Sequence, residues 1–225
     1  MDVVLLGAQG HAKDTIKNIE EYNIDQVSKR GRFKIIGCLD DINGAKPGAE
    51  LCGYPILSSM KVFDKAPFKD ARVICATGDP LTKQKLVKKA AARKLKFFSL
   101  VHPSVTIHRS CKVGEGVNLF ASSILSACCR IGDHVSVNYM CSINHDCIIS
   151  DFVTLAPGVK IGGSCMVGPH VFLGINACVI HGITIGRWAI VGAGATVIKD
   201  VSASTVAAGN PAKAIGKRDK NIPAL

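Results

Sequence analysis

The sequence predicts two domains of different class, a small α/β unit over residues 1–100 and a parallel β solenoid over residues 101–225. Three observations predict this. From Val101 to Ser202 the chain runs through seventeen six-residue units without losing phase, from VHPSVT and IHRSCK to VIKDVS. Every first position in them is Val, Leu or Ile, and every fifth is Val, Cys, Ser, Ala or Ile. Ahead of them, three apolar runs, DVVLL, FKIIGCL and VICAT, alternate with turn signals and helical patterns.

The first domain opens with DVVLL, which breaks into Gly7-Ala8-Gln9-Gly10-His11 and then a helical pattern of Ala12, Ile16 and Ile19. A strand, a glycine-rich turn and a helix N-terminus present backbone N–H groups where a phosphate could sit. The spacing is G-x-x-G rather than G-x-G-x-x-G, so a plain tight turn is the alternative. FKIIGCL is a second buried strand ending in Asp40 and Asp41, carboxylates placed to face a ligand crevice or to lead into a turn at Asn43-Gly44. The third strand, VICAT, ends at Thr77-Gly78, beside the same crevice. Asp79 then caps and Pro80 starts a helix whose apolar stripe is Leu86, Val87, Ala90 and Ala91. The alternation is βαβ-like, hence a small Rossmann-like unit.

A period of six fits neither a helix nor a plain strand, so each unit is a short strand and a corner. Alternation puts position five and the following position one on the same inward face. Three strands and three corners close one 18-residue coil, and stacked coils pair their strands above and below.

The formal charge is +11, with much of it in Lys83, Lys85, Lys88, Lys89, Arg93, Lys94 and Lys96, which read as the solvated face of the second helix. No nucleic-acid motif accompanies them, and aromatic residues to stack on bases are scarce. Five of the ten cysteines (Cys111, Cys129, Cys141, Cys147 and Cys165) fall at the inward fifth position, where a thiol packs as a small hydrophobe. With no CxxC pair, neither zinc nor structural disulfides are expected, and the compartment reads as reducing and cytoplasmic. The uncharged run from Ile161 to Gly186 keeps its hexad phase and carries six glycines, so it reads as solenoid rather than membrane span.

The hexads resemble those of the hexapeptide-repeat acyltransferases, whose coils form a left-handed parallel β-helix, an exception to right-handed crossovers. The G-A-x-G-H-A turn at residues 7–12, G-x-L-D-D at 37–41 and G-Y-P-I-L at 53–57 narrow the likeness to the sialic-acid-type and bacillosamine-type sugar acetyltransferases. That resemblance implies N-acetylation of a nucleotide-linked amino sugar by acetyl-CoA, with a UDP-linked 4-amino-4,6-dideoxy sugar the first expectation. It implies nucleotide binding by Gly7, Gln9, Gly10, His11, Asp40, Asp41, Thr77 and Gly78, and a homotrimer with sites between subunits. Acetyl-CoA would lie along the coils near Thr154, Gly163, Ile175, Ala193 and Gly194, its phosphates meeting Lys199, Lys213 or Lys217.

The amine must lose a proton as it attacks the thioester, which calls for a base titrating near neutrality. Of the six repeat-region histidines, His145 and His181 share the third position on one ridge, their backbones about 10 Å apart at ~4.8 Å per coil. The segment around His145 resembles the family's catalytic stretch, which makes His145 the base and Asp146 its orienting partner. Asn138 and Asn144 would shape the acceptor site. Where the bacillosamine-type relatives carry a second histidine this chain has Thr154. For His145 the alternative is a solvated corner side chain, and three other functions compete: a non-catalytic nucleotide-binding trimer, which the Thr154 departure supports, sugar O-acetylation, and a γ-type carbonic anhydrase with zinc held by three histidines. Two histidines two coils apart argue against the last.

Overall fold

The structure, a computed structural model, describes residues 1–25, 32–41 and 48–219. The Asn43-Gly44 turn lies outside the described residues. The N-terminal sheet has the order β3-β4-β2-β1-β5, built from β1 (Asp2–Leu6), β2 (Lys34–Leu39), β3 (Glu50–Leu51), β4 (Tyr54–Leu57) and β5 (Arg72–Cys75). Its pairings are parallel apart from the β3–β4 hairpin. In β1, Val3 and Leu5 pack with Ala12, Ile16 and Ile19 of α1 (Gly10–Asp25), while Val4 and Leu6 face Leu86, Val87 and Ala90 of α2 (Pro80–Ala92). Burial on both faces explains why this strand is a continuous apolar run.

Helix α2 starts where expected, with the Asp79 carboxylate accepting the Thr82 N–H at 2.7 Å. Two expectations about its faces fail. Ala91 is exposed, one position beyond an i, i+3, i+4, i+7 row. Lys83, assigned to the solvated face, is 0% exposed. It begins that same row with Leu86, Val87 and Ala90, so its stem must point inward with theirs.

The solenoid is a left-handed parallel β-helix. Two-residue strands recur every six residues from β6 (Leu100–Val101) to β22 (Thr196–Val197), and each pairs in parallel with the strand one coil away, as Leu125 does with Ile143. The inward residues, Val117 and Leu119 through to Ala195 and Val197, form one continuous core. All ten cysteines are free thiols. The inward ones are donors as well as hydrophobes: Cys129, Cys147 and Cys165 donate to the carbonyls of Asn144, Gly162 and Ile180 at 3.0, 3.1 and 3.1 Å. Burial pushes the Cys129 thiol up to about 11 and Cys147 up to about 12, which keeps the proton in place.

From Gly116 to Gly194, position four of the hexad turns the corner with a left-handed backbone, φ near +60° at His134, Asp146, Phe152, His170 and Trp188. One corner column thereby becomes a ladder of rings, with centroid spacings of 5.3 Å (His134–Phe152), 4.9 Å (Phe152–His170) and 4.0 Å (His170–Trp188). Arg218 closes its far end, 5.0 Å over Trp188. The last coil is covered by β23 (Thr205–Ala208), parallel to β21 (Ile190–Val191), and by β24 (Lys213–Lys217), antiparallel to β23. Among the described residues no helix is long and apolar enough to cross a membrane.

Candidate active site

The N-terminal domain rests on one of the three solenoid faces through two polar clusters. Asn18 Nδ2 donates to Asn118 Oδ1 at 3.0 Å, and Asn118 Nδ2 to Thr15 Oγ1 at 3.2 Å. Lys83 Nζ donates to Ser136 Oγ and to Thr154 Oγ1, both at 2.9 Å. Buried polar groups need such partners, and these fix how the domains meet. Beside the second of these clusters opens a cleft of about 550 Å³ that Thr154 helps to line.

The glycine-rich turn forms one wall. Gly7 sits at φ +123°, and a Cβ there would lie 2.8 Å from the Ala76 carbonyl oxygen, so no side chain fits between β1 and β5. Gln9, Gly10 and His11 follow into the N-terminus of α1, all lining the cleft with Asp40, Thr77, Gly78, Asn138, Thr154 and Ile175. The Asp40-Asp41 pair divides. Asp40 lines the cleft, whereas Asp41 pairs with Lys89 of α2 at 2.7 Å. Successive residues after a strand point opposite ways, so one carboxylate of the two serves the crevice.

His11 lies against Phe120 at 5.3 Å, and burial, with Lys83 nearby, lowers its pKa to about 3. It is therefore a neutral imidazole in the wall, with a buried Nε2 that has no protein partner among the described residues. Lys83 itself is lowered to about 8 by burial, offset in part by Cys75 and Asp79.

His145 stands on a different edge of the solenoid, at the corner after β13 (Ser142–Ile143), and does not line the cleft. Its Nδ1 meets Asp146 Oδ2 at 2.8 Å, and both side chains are more than half exposed, at 56% and 59%. The His181 ring is 6.2 Å away, centroid to centroid, closer than the backbone spacing of two coils. Gly163, in the coil between, makes this possible: a Cβ there would meet the His145 ring at 2.6 Å. This places Gly163 beneath the imidazole, a relation that the expected contact with pantetheine did not include. Asn144 is exposed on the same corner.

The predicted site residues thus fall into two groups. The nucleotide-turn residues, Asn138, Thr154 and Ile175 surround the cleft, with Ala193 and Gly194 exposed one coil beyond Ile175. His145, Asp146, Asn144 and Gly163 occupy the other edge. Lys199, Lys213 and Lys217 are exposed at the end of the last coil. Thr154 is nine residues from His145, half a coil, which sends the two side chains to opposite sides of one subunit. Among the described residues there is no group of three or more His, Cys, Asp or Glu able to hold a metal ion.

The PglD N-terminal domain family matches residues 2–90, and the bacterial transferase hexapeptide family (six repeats) matches residues 164–199. No curated protein matches the sequence. Among solved structures, GDP-perosamine N-acetyltransferase from Caulobacter crescentus, crystallised as a histidine-to-alanine mutant with CoA and GDP-perosamine, is 31% identical. The match covers 96% of this chain and 98% of that one, with a TM-score of 0.85. WeeI from Acinetobacter baumannii is 28% identical over 96% and 100% of the chains, with a TM-score of 0.83. The acetyltransferase domain of PglB from Neisseria gonorrhoeae, in complex with acetyl coenzyme A, is 26% identical over 95% and 98%, at 0.79. Likeness over nearly the whole of both chains, with a glycine-turn domain feeding an unbroken run of hexads, makes this chain a member of the PglD-like family of hexapeptide-repeat sugar N-acetyltransferases.

Proposed function

We infer that this protein transfers the acetyl group of acetyl-CoA to the amino group of a nucleotide-linked amino sugar. The observation that carries the reading is the His145–Asp146 pair at 2.8 Å, held in the open over a glycine. Asp146 accepts from Nδ1–H, which leaves the Nε2 lone pair to take a proton. As the amine nitrogen bonds to the thioester carbonyl carbon, Nε2 removes its proton. Collapse of the tetrahedral intermediate breaks the C–S bond, and the imidazolium returns the proton to the departing CoA sulfur.

The cleft supplies the acceptor's binding energy. The Gly7–Gly10 turn at the start of α1 suits a diphosphate, Asp40 suits ribose hydroxyls, and Thr77, Gly78, His11 and Asn138 complete the wall. Thr154, Ile175, Ala193 and Gly194 would flank acetyl-CoA, with Lys213 near its phosphates. Because the cleft and His145 occupy different edges, a second copy has to bring its His145 edge to the cleft, which fits a closed trimer. Exposed Ile148, Met166 and Ile180 suit such a contact. The supply of acetyl-CoA and nucleotide sugars fits a cytoplasmic enzyme.

The test is release of free CoA thiol with a panel of GDP-, UDP- and dTDP-linked amino sugars, each beside its hydroxyl counterpart. GDP-perosamine and a UDP-linked 4-amino-4,6-dideoxy sugar head the panel. Turnover of one amino sugar and not its hydroxyl counterpart is expected. Turnover of hydroxyl acceptors alone would replace the reading with O-acetylation.

A further inference from the structure

Lys83 is a fully buried ammonium whose direct partners are neutral oxygens: Ser136 Oγ and Thr154 Oγ1 at 2.9 Å and the Val153 carbonyl at 3.4 Å. Among the described residues no carboxylate comes within 4.0 Å of it. A buried cation without an anionic partner is costly, and a hydrophobic residue of like shape would pack against α2's apolar row at no such cost. The carboxylate that most favours its charge, Asp79, is already engaged by the α2 N-terminus at 2.7 Å and by Arg218 at 3.7 Å. The remaining charged or titratable groups around it add no negative charge at neutral pH: Cys75 is a thiol pushed up to about 12, and His11, His134 and His170 are all held neutral by burial.

This charge, with no carboxylate in direct contact, lies behind the cleft. Asp79, Thr82, Lys85 and Leu86, the residues around Lys83 on α2, all line the cleft, as does Thr154, whose hydroxyl Lys83 holds. We propose that Lys83 is the built-in counter-charge of the cleft, a positioning residue that selects a diphosphate-bearing occupant from behind the wall while pinning Thr154. This rests on the nucleotide reading of the cleft and adds the source of its anion selectivity. A charge held in a dry seam is screened less by salt than the rim lysine, Lys85.

The experiment is calorimetric titration of GDP, UDP and inorganic pyrophosphate, beside the uncharged nucleosides guanosine and uridine, into the intact protein and its Lys83→Met and Lys83→Arg variants. Lys83→Met is expected to weaken the diphosphates about 10- to 100-fold, the order expected for removal of one partly screened charge behind the wall. Nucleoside affinities are expected to stay within about twofold, and Lys83→Arg to recover most of the loss. Equal weakening of nucleosides and diphosphates would reduce Lys83 to a strut and overturn the proposal, as would unchanged diphosphate binding in Lys83→Met. Wild-type protein that binds no nucleotide at all would sink the nucleotide reading first, and this proposal with it.

Discussion

Two regions of the same solenoid, to which we assign the chemistry, are built on opposite terms. The edge at His145 is open: its imidazole and carboxylate are more than half exposed, and the room they use comes from a missing side chain at Gly163. The edge under the N-terminal domain is closed, with Lys83, Asn118, Ser136 and Thr154 buried and His11 driven to about 3. The backbone is the same repeated corner in both places. What differs is the cover, and so a repeat that is structurally uniform supplies an exposed imidazole–carboxylate pair at one edge and a buried polar wall at another. The proposed reaction draws on both, which is why it calls for a second copy of the chain.

The sharpest way to separate the edges is His145→Ala. Turnover should fall by about 10² to 10⁴, the size of a general-base contribution, with acetyl-CoA and nucleotide affinity unchanged. Steady-state kinetics beside calorimetry on the same protein checks it, and retained turnover would remove His145 from the chemistry.

Next in size is Gly163→Ala. The added methyl meets a flexible, exposed ring rather than backbone, so the ring moves and the coil survives. Turnover should drop roughly 10-fold or more while thermal stability changes by less than about 1 kcal/mol. A large loss of stability with kinetics intact would contradict this picture of the open edge.

At the closed edge, Asp40→Ala should weaken nucleotide binding by roughly 10-fold, the loss of one charged hydrogen bond. Asp41→Ala, which removes only the surface pair with Lys89, should leave binding alone and cost at most ~1 kcal/mol of stability. Titration of GDP and UDP into both variants decides whether the two neighbours differ as the geometry says.

The smallest effect is on pH. His170, stacked between Phe152 and Trp188, has its pKa lowered to about 4 by burial and by Arg218. Above pH 6.5 neither the folded nor the unfolded chain protonates it, so it has no effect there. As pH falls from 6.5 towards 4 the unfolded chain binds a proton that the folded one refuses, and stability is lost. Melting curves across that window should slope less for His170→Phe, which keeps the stack. Identical slopes would show that the ladder accommodates the charge.

The sequence announced the solenoid because one residue class per position, repeated seventeen times, leaves no other way to bury the apolar set. His145 and Asp146 stand out through the likeness of their segment to the family's catalytic stretch, and their 2.8 Å contact is legible because it joins neighbours in the chain. Lys83 is misread when grouped by charge with the other lysines, although its spacing puts it on the row of Leu86, Val87 and Ala90, and spacing does not show what polar partners that face meets. The signal lay in another column: the outward residues of the covered face, Asn118, Ser136, Thr154 and Phe172, carry no charge, whereas Lys112, Arg130 and Lys160 stand at equivalent places on the other two. Likewise His134, Phe152, His170 and Trp188 recur at eighteen-residue intervals, but their role as a ladder depends on the left-handed corner that aims them together.

A stack of coils has no intrinsic last member. Each turn ends in unpaired strand edges that would accept another turn, from this chain or from a different molecule. Here the C-terminal hairpin ends the series by reversing direction: β24 runs antiparallel to β23 and presents five exposed residues, two of them lysines. The tail therefore acts as a stopper against end-on growth, and a chain cut after Ser204 would expose β21 as a template on which fibres could start.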